Sequence, residues 1–202
     1  MSDHKVFVLG FQKTGTTSLE TALKSLGYRV YGGDKNLMRY GNEEELKKYI
    51  SKTMEDWDAA QDMPWPLFYK ELYELYPKAK FILTYRDPDT WIKSVVEYFA
   101  SIRIPLHQKI YNVPHAEGYE DTYLKVYNAY NSKIATFFKD KNNFLKMNLG
   151  EDFNYPTLCN FLEIKDIPER EFPRSRQNKQ KLAKYKYYRK VRSIYWNYKK
   201  KY

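Results

Sequence analysis

The segment GFQKTGTTSL, residues 10–19, connects a short apolar run to the start of a helical pattern. Its glycines, Gly10 and Gly15, have the spacing of the phosphate-binding loop G-x-x-x-x-G-K-[ST]. Thr16 stands where that loop has its lysine, and the only cation of the segment, Lys13, precedes the second glycine. Such a loop offers backbone amides and a helix N-terminus to an anion, but it lacks the arrangement that suits a magnesium-bound triphosphate.

A second candidate anion site follows an apolar run of the buried-strand type. In FILTYRDPDTWIKSV, residues 81–95, the run ends at Arg86. A helix is predicted to begin there, with Asp87 as its cap and Pro88 in its first turn. Arg86 and Ser94 are candidates to bind a phosphate, because a planar guanidinium pairs with phosphate through two hydrogen bonds. Whether they converge depends on the loop between them, and the alternative is a surface ion pair beside a solvated serine.

Both segments resemble motifs of the sulfotransferase family. In that family, a loop of the form K-x-G-T-T-x-L binds the 5'-phosphosulfate of 3'-phosphoadenosine 5'-phosphosulfate (PAPS). An arginine at a strand tip, eight residues before a helical serine, binds the 3'-phosphate. The residues that match are Lys13, Thr14, Gly15, Thr16, Thr17, Ser18, Arg86 and Ser94. The stretches 59–95 and 157–174 resemble a compact, largely bacterial-type branch, so the resemblance covers most of the first 175 residues.

The resemblance implies a PAPS-dependent sulfotransferase that transfers a sulfuryl group to a hydroxyl or amine without a metal and releases adenosine 3',5'-bisphosphate. Lys13 would neutralise the leaving oxygen. Family members also have an R-K-G segment near the C-terminus, which is absent here, and Arg174 and Arg176 are its candidate substitutes. The complete set of donor-binding candidates is Gly10, Gln12, Lys13, Thr14, Gly15, Thr16, Thr17, Ser18, Arg86, Ser94, Arg174 and Arg176.

Three residues are candidates for the catalytic base. Many family members use a histidine in a K-x-H pattern, which this chain lacks. Asp62, in a D-x-P segment at the tip of the third predicted strand, is the preferred candidate, since partial burial would raise the pKa of its carboxyl group. The alternative role for Asp62 is that of a turn residue before Pro64. His107 and His115 are the other candidates, in a segment, 102–118, that is predicted to form a mobile loop or lid.

Aromatic side chains near these segments are candidates for an acceptor pocket. They are Trp65, Phe68, Tyr69, Tyr98 and Phe99. Because aromatic residues make up 18% of the chain, most such clusters are expected to be core. The acceptor stays open among sugar hydroxyls, phenols, lipid headgroups and protein tyrosines, since the same donor site serves all of them.

Alternating strands and helices predict an α/β fold with three layers, a central parallel sheet of four to five strands and helices on both faces, the P-loop-like sulfotransferase fold. We expect residues 1–175 to form this domain and residues 176–202 to form a basic, Lys/Tyr-rich helix packed on it. Strands are predicted at 5–9, 28–31, 59–61, 79–85 and 144–147. Helices are predicted at 16–26, 43–54, 67–76, 89–101, 119–139 and 155–162.

The net charge of +10 belongs to the C-terminal tail. Residues 172–202 contain twelve Lys or Arg and no acid, which leaves 23 basic against 25 acidic residues in the rest of the chain. A final helix with a solvated basic face is the expected arrangement. The sharper alternative is a non-enzymatic module in which the tail binds an acidic partner, nucleic acid or an anionic membrane surface.

A second alternative is a small P-loop kinase in which Asp62 or Asp87 binds magnesium. The missing lysine after Gly15 argues against this alternative.

No stretch is long and apolar enough to span a bilayer, and the N-terminal MSDHK has no signal-peptide core, so a cytoplasmic protein is expected. The single Cys159 is predicted to be a core residue, and no metal-ligand spacing is present in the sequence.

Overall fold

The computed structural model describes residues 5–174, so the predicted tail helix at 176–202, with Arg176, lies outside the described residues. Five strands form one parallel sheet in the order β2-β3-β1-β4-β5. They are β1 Val6–Val8, β2 Val30–Tyr31, β3 Ala59–Ala60, β4 Lys80–Tyr85 and β5 Phe144–Asn148. Because β1 lies between β3 and β4, the connections diverge to the two sides of β1 and open a crevice at its C-terminal end.

Seven α-helices accompany the sheet within residues 5–174. They are α1 Thr16–Ser25, α2 Glu43–Met54, α3 Tyr69–Leu75, α4 Pro88–Phe99, α5 Pro105–Tyr111, α6 Glu120–Phe138 and α7 Tyr155–Phe161. Short 3-10 helices lie at Lys35–Arg39 and Trp65–Phe68. None of the helices in this part of the chain combines the length and the apolar character that a bilayer crossing requires.

The side chains of β1 alternate between the two faces of the sheet. Val6 and Val8 pack with buried residues of α1 and α7, whereas Phe7 and Leu9 pack with buried residues of α2, α3, α4 and α6. This alternation follows from the period of two along a strand. The predicted three-layer α/β fold with helices on both faces is confirmed, and so is the prediction that Cys159 is buried in the core.

The prediction of a mobile loop at 102–118 is wrong for its central part, which is helix α5. Pro105, interpreted from the sequence as a loop residue, occupies the start of this helix, where proline is favoured because its missing N–H would be unpaired there anyway. His107 and Tyr111 of α5 are buried. The segment is therefore a part of the packed domain.

Candidate active site

Gly10 and Thr14 determine the conformation of the loop after β1. A Cβ atom on Gly10 would lie 1.7 Å from Oγ1 of Thr84 on β4, so only glycine fits between these segments. The Thr14 hydroxyl donates to the Phe11 carbonyl at 2.6 Å and forms a hydrogen bond of 2.7 Å with the Thr84 hydroxyl. Thr14 is completely buried. Neither residue lines the cavity beside the loop. Both determine the shape of the loop, Gly10 by leaving room for Thr84 and Thr14 through its hydrogen bonds.

Helix α1 begins without a side-chain cap. Its N-cap residue is Gly15, with φ 98°, and its first turn contains no acid. Helices α3, α5 and α6 also begin without a side-chain cap, whereas Asn42, Asp87 and Asn154 accept hydrogen bonds from the first turns of α2, α4 and α7. An uncapped N-terminus directs backbone amides and the positive end of the helix dipole at whatever lies before it. What lies before α1 is a cavity.

This cavity has a volume of about 720 Å³, within the usual range for small-molecule sites. The sequence-predicted residues that line it are Gln12, Lys13, Gly15, Thr16, Thr17, Ser18, Asp62, Arg86, Ser94 and Arg174. Its described lining carries three cations, Lys13, Arg86 and Arg174, against one carboxylate, Asp62. The charge of this lining therefore suits an anionic ligand with more than one negative group.

The two candidate anion-binding segments meet in this cavity. The Arg86 guanidinium lies at the tip of β4, and its Nη1 is 3.5 Å from the Lys13 carbonyl oxygen. Ser94 lines the same cavity from α4, so the loop after Arg86 does bring these side chains to one site. The Lys13 ammonium lies 4.1 Å from the centroid of the Tyr98 ring, a cation–π contact from the next turn of α4.

Asp62 lies two residues after the end of β3 and lines the cavity. Its backbone has φ 71°, and its Oδ1 accepts a hydrogen bond of 2.9 Å from the Met63 backbone amide. Asp62 thus has the local turn contact expected of a residue before Pro64 and also places a carboxylate on the cavity wall. A carboxylate at this position can accept a proton from a bound group.

The two candidate histidines lie elsewhere. His107 is buried in an aromatic cluster, with ring centroids 4.6 Å from Phe99 and 5.6 Å from Tyr111. Burial lowers the pKa of His107 to about 4, so its imidazole is neutral at physiological pH. Neither His107 nor His115 is among the described residues that line the cavity. Of the three candidates for the base, Asp62 is therefore the one that lines the described cavity.

The buried imidazole of His107 predicts a pH dependence of stability. The unfolded chain takes up a proton near pH 6.5, but the folded chain does so only near pH 4. Stability from this group is complete above pH 6.5 and is lost as the pH falls towards 4. Between pH 7.5 and 5 we expect a loss on the order of 2 kcal/mol in the free energy of unfolding that is absent in His107→Phe. Urea titrations at both pH values measure it, and an equal pH dependence in both proteins would contradict it.

Of the five aromatic candidates for an acceptor pocket, Tyr98 and Phe99 line the cavity and the other three do not. Trp65 is buried, and its Nε1 donates to the Gly32 carbonyl at 2.9 Å. Phe68 and Tyr69 pack against the core, and neither lines the cavity. Their spacing along the chain could not separate a core face from a pocket wall.

The sequence interpretation missed part of the cavity lining. Leu149, Gly150 and Phe153 follow β5, and Phe172 and Pro173 precede Arg174. A Cβ atom on Gly15 would lie 2.7 Å from the Phe153 ring, which shows how closely this ring covers the loop. The signal for the first group was available, because ligands of parallel sheets bind beyond the C-terminal ends of strands.

The chain is similar in sequence to known proteins. A family model described as "Sulfotransferase domain" matches residues 5–116 and 99–181. The protein described as "Ava biosynthesis cluster protein M" from Aspergillus versicolor is 26% identical over 213 residues, which cover 84% of this chain and 79% of that protein.

Two solved structures share the fold. The crystal structure of a sulfotransferase from Alicyclobacillus acidocaldarius has a TM-score of 0.54 at 16% identity and covers 84% of this chain and 85% of its own. Shikimate kinase from Bacteroides thetaiotaomicron has a TM-score of 0.50 at 15% identity and covers 79% of this chain and 94% of its own. At these sequence identities, the solved structures support only the assignment of the fold. The family model supports the assignment of the family, because it matches well over half of the chain. The chain belongs to the sulfotransferase family.

Proposed function

We propose that the protein transfers a sulfuryl group from PAPS to a hydroxyl or amine of an acceptor. The observation that carries the proposal is the approach of the two anion-binding segments, with Arg86 Nη1 3.5 Å from the Lys13 carbonyl in a shared cavity. PAPS carries anionic groups at the 3' and 5' positions of one adenosine and supplies the activated sulfuryl group. Two cationic segments in one cavity suit such a ligand, since charge-assisted contacts to phosphate are among the stronger hydrogen bonds.

Each segment has a proposed task. Lys13 neutralises the negative charge that develops on the leaving phosphate oxygen. The backbone amides of residues 14–18, with the hydroxyls of Thr16 and Thr17, bind the 5'-phosphate and the sulfuryl oxygens at the uncapped start of α1. This preorganised positive charge takes the part that a divalent metal plays in P-loop kinases. Gly10 and Thr14 hold the loop in shape.

At the other end, Arg86 and Ser94 bind the 3'-phosphate, and Arg174 adds positive charge to the same cavity. Arg176 is proposed to assist Arg174. Asp62 is the proposed base. Its carboxylate takes the proton of the acceptor hydroxyl or amine while the acceptor atom bonds to sulfur and the sulfur–phosphate-oxygen bond breaks, with the electron pair leaving on the phosphate.

Calorimetry with adenosine 3',5'-bisphosphate tests the proposal. We expect the native protein to bind this product, and Lys13→Ala and Arg86→Ala to bind it about 10- to 100-fold more weakly, because each loses a charged hydrogen bond. Lys109→Ala and Arg103→Ala are matched controls, since both residues are exposed and lie outside the cavity lining.

Two outcomes would contradict the proposal. One is that the native protein does not bind the bisphosphate, or that its affinity is the same in Lys13→Ala and Arg86→Ala. The other is tighter binding of ATP with magnesium than of the bisphosphate, which would favour a small kinase.

A further inference from the structure

Two buried aromatic side chains connect the loop that carries Lys13 to the strand tip that carries Arg86. Trp91 of α4 donates from its indole Nε1 to the Gln12 carbonyl at 2.8 Å. Tyr127 of α6 donates its hydroxyl to the Arg86 carbonyl at 2.8 Å and accepts from the Arg86 amide at 3.1 Å. The two rings are stacked, with centroids 3.9 Å apart and planes 10° from parallel.

We propose that this Trp91–Tyr127 stack positions the two anion-binding segments relative to each other and so determines the affinity for a ligand with two anionic ends. The inference rests on the proposed function, because it concerns the same donor site. Both side chains are completely buried, and neither lines the cavity. They are positioning residues, which act on a ligand only through the backbone that they hold.

The hydrogen bonds fall on the backbone beside the functional side chains. The Gln12 carbonyl is part of the peptide bond between Gln12 and Lys13. Lys13 has φ 69°, a left-handed conformation that non-glycine residues seldom adopt. Such a loop depends on contacts from outside for its shape. On the other side, Tyr127 holds both polar backbone atoms of Arg86.

The chemistry of Tyr127 suits this task. Burial raises the pKa of its phenol well above the ordinary value, so the hydroxyl stays protonated and can donate to the Arg86 carbonyl. Its ring lies between Trp91 and Tyr85, with a centroid distance of 6.2 Å to the latter. Close-packed rings have few alternative arrangements, so the stack transmits a fixed distance.

The loop has a second, separate support. Gln12 Nε2 donates to the Tyr111 hydroxyl at 2.6 Å, and Tyr111 is itself stacked on Tyr123 at 3.6 Å. Loss of the indole N–H alone therefore leaves the loop attached to the core through α5. A substitution at Trp91 can therefore test the distance between the two anion-binding segments while the fold is kept.

A ligand that binds two segments gains affinity from their fixed separation, because the second contact forms at a high effective concentration. A looser separation reduces that gain. It leaves each single contact nearly unchanged, since a ligand with one phosphate can follow its own segment. Affinity for the doubly phosphorylated ligand is therefore the property that reports the spacing.

The test compares three ligands by calorimetry: adenosine 3',5'-bisphosphate, adenosine 5'-phosphate and adenosine 3'-phosphate. Tyr127→Phe removes the hydroxyl and keeps the ring, whereas Trp91→Phe removes the indole N–H and puts a smaller aromatic ring in the stack. We expect each variant to bind the bisphosphate about 10-fold more weakly and either monophosphate less than about threefold more weakly. Tyr123→Phe is the matched control, because Tyr123 lies one turn earlier on α6 and its hydroxyl contacts His107 at 3.4 Å. It should leave the three affinities unchanged.

A second measurement needs the bisphosphate alone. In an Arg86→Ala background the strand tip no longer presents a guanidinium to the 3'-phosphate, so Trp91→Phe should change the remaining affinity by less than about twofold. An effect in that background as large as in the native protein would overturn the inference, as would equal losses for all three ligands or unchanged bisphosphate binding in both variants. Failure of the native protein to bind the bisphosphate would instead overturn the proposed function and this inference with it.

Discussion

We expect Lys13→Ala to lower the rate of sulfuryl transfer by about 10²- to 10³-fold, which is the usual effect of removing one preorganised group from the site of developing charge. The Lys13 ammonium is the cation of the loop, and it lines the cavity beside the start of α1. Without the ammonium, no side-chain cation of the loop neutralises the negative charge on the leaving phosphate oxygen. The native protein is first assayed for transfer of labelled sulfate from PAPS to a panel of phenols, sugar alcohols and amines. The rates of the native protein and of Lys13→Ala are then compared with the best acceptor of the panel.

The rate should fall by more than the affinity for the bisphosphate, because the charge on the bridging oxygen is greatest in the transition state. Lys13→Arg keeps the charge and should recover part of the rate. Lys109→Ala, on the exposed side of α5, should transfer sulfate at the native rate. A Lys13→Ala protein of native rate would remove Lys13 from the mechanism.

Asp62→Asn has the second large expected effect, a decrease of about 10²- to 10⁴-fold in the transfer rate, as for loss of a general base. Asparagine keeps an acceptor for the Met63 amide and tolerates the positive φ of this residue, so the turn after β3 should stay intact. The amide cannot take a proton from the acceptor. The labelled-sulfate assay gives the rate, and calorimetry gives the bisphosphate affinity, which should change less than about twofold because the carboxylate is assigned to the acceptor's proton and not to the donor.

Asp140→Asn is the control for this substitution, since Asp140 is exposed and outside the cavity lining. A native rate in Asp62→Asn would assign the Asp62 carboxylate to the turn alone. An equal loss of rate and of bisphosphate affinity would indicate a distorted donor site in place of a missing base.

Local sequence signals predicted most of the secondary structure. Within residues 5–174, every predicted strand and helix is present, with bounds that differ by at most two residues, and the predicted cap at Asp87 is confirmed. Periodicity and capping act within a few residues, so they can be read from the chain itself. Helix α5 was the exception. Pro105 is compatible with a loop and with a helix start, and only the packing of His107 and Tyr111 distinguishes the two.

The sequence by itself identified the two candidate anion-binding segments, because a glycine turn and an arginine at a strand end are local features. Only the tertiary structure decided that they share one cavity, since this depends on β1 and β4 being neighbours in the sheet. It also decided the role of residues far apart in the chain: Phe153 over the loop, and Trp91 stacked on Tyr127 beneath it. Contacts between distant residues arise from the order of strands and the packing of helices, which no single segment encodes.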